Sequence, residues 1–113
     1  MKLSVDSLTT GLQFHYYVLS GARQYFVMSL SLSKRDAGNF NLVSRPAVDQ
    51  LHRRLRGRRG LTARQVFSRS KNRRAVPSAL AALNMLYVLG ATERAIIDPR
   101  RKAAREIFFN VKR

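Results

Sequence analysis

The residues best equipped to do chemistry in this sequence are its arginines. Between positions 45 and 74 stand Arg45, Arg53, Arg54, Arg56, Arg58, Arg59, Arg64, Arg69, Lys71, Arg73 and Arg74, eleven cations against one acid, Asp49. A guanidinium stays charged at any physiological pH, and its planar fork of donors matches phosphate oxygens and the edge of guanine. A second group follows between 94 and 113: Arg94, Arg100, Arg101, Lys102, Arg105, Lys112 and Arg113, seven cations against Asp98 and Glu106. Over all 113 residues, 22 Lys and Arg against 6 Asp and Glu give a formal charge of +16. Such a charge repels itself in a folded chain and answers to a polyanion. A solubilising surface needs far less of it.

Other chemistries are poorly served. There is no cysteine, so disulfides, thiolate metal ligands and thiol catalysis are excluded. His15 and His52 are far apart and have no carboxylate at ligand spacing, so no metal site is expected. Asp6, Asp36 and Asp49 are too scattered for a two-metal nuclease, and no Ser, His and Asp arrangement is visible. The expectation is a binding protein rather than an enzyme, with no cofactor. The opening Met1-Lys2-Leu3-Ser4-Val5-Asp6 lacks the apolar stretch of a signal peptide, and no apolar run approaches membrane-spanning length. A cytoplasmic location, nucleoid-associated in a bacterium, is expected, with no membrane partner.

The elements that position these cations can be read from periodicity. Residues 12–33 alternate as two strands, with Leu12, Phe14, Tyr16 and Val18 in the first and Phe26, Met28, Leu30 and Leu32 in the second. Ser20-Gly21-Ala22-Arg23 is the turn between them, Gly21 supplying positive φ. Tyr17, Leu19, Tyr25 and Val27 are apolar as well, which calls for cover on both faces near the turn. Ser29, Ser31 and Ser33 mark a face that meets water, and residues 34–45 read as a loop.

A first helix starts at Ser44 to Pro46, with Ser44 as cap and Val48, Leu51 and Leu55 facing inward. Gly57 and Gly60 stop it. Thr62 caps a second helix over about 63–70, with Ala63, Val66 and Phe67 inward. After a basic turn, Ser70-Lys71-Asn72-Arg73-Arg74, a third helix holds Pro77 in its first turn and runs to about Leu89. Its inward face is Leu80, Leu83, Leu86 and Tyr87, and Gly90 closes it in the left-handed conformation. Residues 92–98 and 106–111 then form a hairpin with a basic tip.

From residue 46 onward the order is helix, short extended piece at Leu61, helix, turn, helix, strand, basic loop, strand. The stretch Ala79-x3-Leu83-x2-Leu86-x3-Gly90-Ala91 resembles the third helix and its exit in bacterial winged-helix regulators and in replication-initiator or primase-associated winged domains. The resemblance covers about residues 46–113. It implies an α+β fold, a winged helix-turn-helix of three helices plus a C-terminal β-hairpin wing, here preceded by an N-terminal β-hairpin. One domain is expected, with residues 1–43 as the hairpin extension and 44–113 as the winged-helix core.

In that superfamily the third helix enters the major groove and the wing reaches a neighbouring groove or the backbone. Carried onto this chain, the resemblance assigns Lys71, Asn72, Arg73, Arg74 and Ser78 to the groove, with Ala81 and Asn84 on the outer face of the third helix. Arg100, Arg101, Lys102 and Arg105 would form the wing. Arg58, Arg59 and Arg64 would sit beside phosphates at the start of the second helix. Because Ala79, Ala81, Ala82 and Met85 offer no base-reading groups, binding dominated by phosphate with modest sequence specificity is expected.

Met85, Val88 and Leu89 are apolar where related helices are often charged, and the N-terminal hairpin is their nearest cover. A homodimer or larger nucleoprotein complex formed through its aromatic end is the other. Phe14, Tyr16, Tyr17, Tyr25 and Phe26 fit a core, and less readily a base-stacking platform. Three functions suit these features: a duplex-DNA-binding regulator, replication, plasmid or mobile-element factor; an RNA-binding subunit of a ribonucleoprotein; and a winged interaction module of a nucleic-acid machine.

Overall fold

The computed structural model describes residues 4–10, 14–31, 38–98 and 106–113. Four strands come first: β1 (Ser4–Thr10), β2 (Phe14–Ser20), β3 (Gln24–Ser31) and β4 (Gly38–Ser44), neighbours in that order and antiparallel throughout. Helices α1 (Arg45–Leu55), α2 (Ala63–Arg69) and α3 (Ala79–Ala91) follow. Two short strands, β5 (Ala95–Ile97) and β6 (Phe109–Val111), pair antiparallel at the end. The chain is therefore α+β, and its N-terminal part is a four-stranded meander rather than a hairpin. The segment read as a loop contains β4, which pairs with β3 from Gln24 opposite Ser44 to Leu30 opposite Gly38. Gly and Asn have weak strand propensity, but pairing with β3 satisfies their backbone groups, and context overrides propensity.

The turn between β2 and β3 closes as expected, with the Gly21 N–H donating to the Gln24 carbonyl at 2.8 Å. Positive φ among the described glycines is confined to Gly57 and Gly60, so the Gly21 expectation was wrong. The facing of β3 was also inverted. Tyr25, Val27 and Ser29 are buried against the helices beside Tyr16 and Val18 of β2, and Ser29 does not meet water. The opposite face carries Phe26 and Met28, with Leu30, Phe40 and Leu42 exposed. The Tyr25 hydroxyl fixes this choice. It accepts from Arg45 Nη1 at 3.1 Å and Arg94 Nη2 at 3.3 Å, and the Arg45 guanidinium carbon lies 4.4 Å from the centre of its ring. Arg94 Nη1 also donates to Asp49 at 2.9 Å, so one tyrosine ties the sheet to α1 and to the approach of β5.

Local signals govern the helix ends. Ser44 Oγ accepts from the Ala47 N–H, and Thr62 and Gln65 form a reciprocal capping box at 3.2 and 3.4 Å. Gly57 and Gly60, at φ 75° and 65°, turn the chain out of α1 as predicted. Ser78 caps α3, leaving Pro77 just before the cap rather than in the first turn. Gly90 is helical, and the left-handed residue is Glu93 (φ 62°), after which the Arg94 N–H returns to the Leu89 carbonyl at 2.8 Å. Hydrogen bonds between Leu61 and Phe109, at 2.9 and 2.7 Å, lay the α1–α2 connection beside β6 as a third strand one residue long.

Helix α3 is the centre of the molecule. It packs on all four strands of the first sheet and on α1, α2 and β5, which is why it is apolar on every side. Met85, Val88 and Leu89 are buried within the chain by these elements. Leu80, expected inside, is 52% exposed at the first turn, beyond the reach of either layer. Tyr87 stacks on Tyr16 of β2 with ring centroids 4.0 Å apart and meets Phe109 of β6 edge-on at 5.6 Å. Among the described residues, no helix is long and apolar enough to cross a membrane.

The Tyr87 hydroxyl is buried without a hydrogen-bond partner. Leaving a buried donor unmade costs about 1–3 kcal/mol, so Tyr87→Phe is expected to leave stability unchanged or raise it by about 1 kcal/mol, read as a higher midpoint of chemical denaturation. Burial pushes the Tyr87 phenol well above its ordinary value of 10.0, with Tyr16 adding to the shift, and burial raises Tyr16 too. Both phenols stay protonated in the fold at pH values where the unfolded chain has released their protons. Their contribution is fully present below the ordinary value and is lost as pH rises through it toward the raised ones. Ionisation of Tyr16 and Tyr87, read as phenolate absorbance, should therefore come only with alkaline unfolding. Ionisation of Tyr16 or Tyr87 with the fold intact, as seen in variants with the other tyrosines replaced by Phe, would contradict this.

Candidate nucleic-acid interface

Leu51 and Leu55 bury one stripe of α1, Arg54 stands on the edge of that stripe, and Arg58 follows just past the helix end. Arg69 ends α2 on the facing side. These three arginines surround a cleft of about 160 Å³ floored by Leu51, Leu55 and Val66. Helix carbonyl ends attract cations, and both α1 and α2 place arginines in their last turns. A cleft of this size lies below the usual range of small-molecule sites and suits a phosphate group.

The frame beneath it is fixed. The Gly57 N–H donates to the Val111 carbonyl at 3.0 Å, and the Val111 N–H to the Arg58 carbonyl at 2.8 Å. Buried Asn110 accepts from the Gly60 N–H at 2.8 Å through Oδ1. The 57–61 segment thus holds Arg58 and Arg59 outward from a backbone anchored on β6. Among the described residues, the ion pairs are Arg94 with Asp49 at 2.9 Å and a long contact of Arg64 with Glu106 at 4.0 Å. Arg54, Arg58 and Arg69 face solvent with no described carboxylate against them.

The other predicted residues divide. Arg59 and Lys71 are exposed, and Arg64 keeps 84% of its side chain exposed despite Glu106. Arg73 is partly engaged, donating to the Phe67 carbonyl at 2.7 Å and lying 4.1 Å from the centre of the Phe67 ring. Asn72, Arg74, Ser78 and Asn84 come together on a second, larger cleft of about 650 Å³ between β4, α1 and the start of α3. Asn84 is not on an outer face: it is 3% exposed, because the sheet and α1 cover the side of α3 that was expected to be open. Arg100, Arg101, Lys102 and Arg105 lie outside the described residues.

Arg54 and Arg69 were missed as site residues. The signal for Arg54 was present in Leu51-x2-Arg54-Leu55-x2-Arg58, which sets two arginines on the border of an apolar stripe. Arg69 had no such signal, because its place depends on how α2 packs. Comparison with protein-family models, curated proteins and solved structures finds no match.

Proposed function

We propose that this chain binds nucleic acid, with duplex DNA as the favoured ligand, mainly through phosphate contacts and with modest sequence specificity. The observation that carries the reading is the ring of Arg54, Arg58 and Arg69, exposed, free of described carboxylate partners and mounted on an anchored frame. The finer reading is a winged helix-turn-helix. It is supported by the order α1, Leu61, α2, α3, β5, β6 and by the pairing of Leu61 with Phe109. The way α3 is used must then differ from the usual pattern. It carries no charged side chain and is covered along most of its length, so only its first turn reaches a ligand. Backbone contacts from the α1–α2 connection, α2 and the 71–74 turn supply the affinity, which limits base reading.

The test is a salt-resolved titration of the full chain against duplex DNA, single-stranded DNA and a structured RNA. Tightest binding to duplex is expected, with log affinity falling linearly against log salt and random and selected duplexes differing by less than about a thousandfold. Preference for structured RNA would overturn the choice of duplex. Affinity for none of the three would overturn the function.

A further inference from the structure

The larger cleft has a different chemistry from the arginine ring. The rim of α3 offers an anion three things. Ser78 caps the helix by accepting from the Ala81 N–H at 3.0 Å, while the N–H groups of Ala79 and Leu80 donate to nothing among the described residues. The 13-residue helix adds the positive end of its dipole. Arg74 is held at the same rim because Asn72 Oδ1 accepts from the N–H groups of Arg74 and Ala75 at 3.1 and 3.2 Å, which fixes the turn.

The floor is not built for a bare anion. Asn84 lies 3% exposed at its base, and no described group is hydrogen-bonded to its amide. The Asn84 side chain opens onto the cleft and offers both a donor and an acceptor there, so the arrangement suits a ligand carrying both. Val43, Met85 and Leu80 supply apolar wall beside it, and no described carboxylate lines the cleft. The volume of about 650 Å³ falls within the range of small-molecule sites.

An anion-binding rim beside apolar wall and the amides of Gln24, Asn41 and Asn84 has the chemistry that a nucleotide presents, a phosphate joined to a flat base with donors and acceptors on its edge. We infer that this cleft receives a single unpaired nucleotide, its phosphate at the α3 N-terminus with Arg74 and its base against Met85 with its edge on Asn84. The inference rests on the nucleic-acid reading above and extends it: the arginine ring holds backbone, and the cleft takes one base out of the stack. An unstacked base can reach such a site where a paired one cannot. A free nucleoside monophosphate has the same chemistry, and the two sources can be separated.

The experiment compares a fully paired duplex, the same duplex with one unpaired nucleotide, and a free nucleoside monophosphate. Binding is followed by affinity and by the amide NMR signals of Ala79, Leu80 and the Asn84 side chain. The duplex with the unpaired nucleotide should bind at least about thirtyfold tighter than the paired one, the lower end of the effect of one charged and one neutral hydrogen bond. It alone of the two should shift those signals. Asn84→Leu, which keeps side-chain volume, should abolish the preference while leaving affinity for the paired duplex unchanged. Arg74→Ala, at an exposed position, should weaken both duplexes but the one with the unpaired nucleotide more, and so reduce the same ratio.

Shifts with the monophosphate alone would support the cleft and name a free nucleotide as its ligand. If neither duplex binds but the monophosphate does, the wider nucleic-acid reading fails and the cleft stands. Equal affinity for the two duplexes, with no signal moved by the monophosphate, would overturn the inference.

Discussion

Replacing Arg54, Arg58 and Arg69 together by alanine is expected to flatten the dependence of duplex affinity on salt by roughly 2.7 in log–log slope, about 0.9 for each phosphate no longer neutralised. At about 0.1 M salt this amounts to a weakening of several hundredfold, and the two proteins should converge as salt approaches about 1 M. The fold should survive. The three side chains are exposed, and no hydrogen bond or ion pair from them to another described residue holds the structure together. Removing Arg54 and Arg69 forfeits favourable interactions with helix carbonyl ends, each about 0.3–1 kcal/mol, but it also relieves repulsion in a chain of charge +16. Alanine is the better helix former at both helical positions. Arg23→Ala, an exposed change in the β2–β3 turn, is the control and should leave the slope unchanged. Parallel salt plots for wild type and the triple variant would show that the ring does not touch phosphate.

The ring also shows what the sequence could and could not convey. Signals confined to a few neighbouring residues were legible: the Ser44 and Thr62 caps, and the exit of α1 through Gly57 and Gly60. Each is decided by backbone groups within one turn, so no distant partner is needed to read it. The facing of β3 was not legible, because every position from Tyr25 to Met28 is apolar and a slip of one residue exchanges the two faces. What decided it was the Tyr25 hydroxyl meeting Arg45 and Arg94, residues 20 and 69 positions away. Asn84 was misplaced for a related reason. A polar residue on an apolar helix reads as the exposed side, yet here the fourth strand, hidden in an Asn-rich stretch read as a loop, closes over it. The missed strand and the misread asparagine are one error, and correcting it turned a supposed groove-reading residue into the floor of a cleft.

The same central position of α3 makes Phe109→Ala the most damaging single core change expected in this chain. Phe109 is fully buried, and its ring meets Tyr87 edge-on at 86°, while Tyr87 stacks in turn on Tyr16 of the first sheet. The three rings form a column from β2 through α3 to β6, the one place among the described residues where both sheets grip the central helix through aromatic contacts. Truncating a buried Phe to Ala costs about 3–5 kcal/mol, a large share of the roughly 5–15 kcal/mol that holds a domain folded. The destabilisation should appear as a lower denaturation midpoint with an unchanged m-value if the column joins both sheets into one cooperative unit. A low-denaturant step affecting only the C-terminal part would mean that β5 and β6 melt separately. Ile96→Ala, at a position 47% exposed on the neighbouring strand, should cost less than about 1 kcal/mol and serves as the comparison. The functional consequence follows from the backbone, because Phe109 also holds Leu61 through two hydrogen bonds and so fixes the segment that carries Arg58. In the folded fraction of Phe109→Ala, duplex affinity should fall while the cleft signals of Ala79 and Leu80 persist, since the arginine ring depends on β6 and the cleft does not. Equal weakening at both sites would mean that the packing of α3, rather than the anchoring of the α1–α2 connection, is what the mutation disturbs.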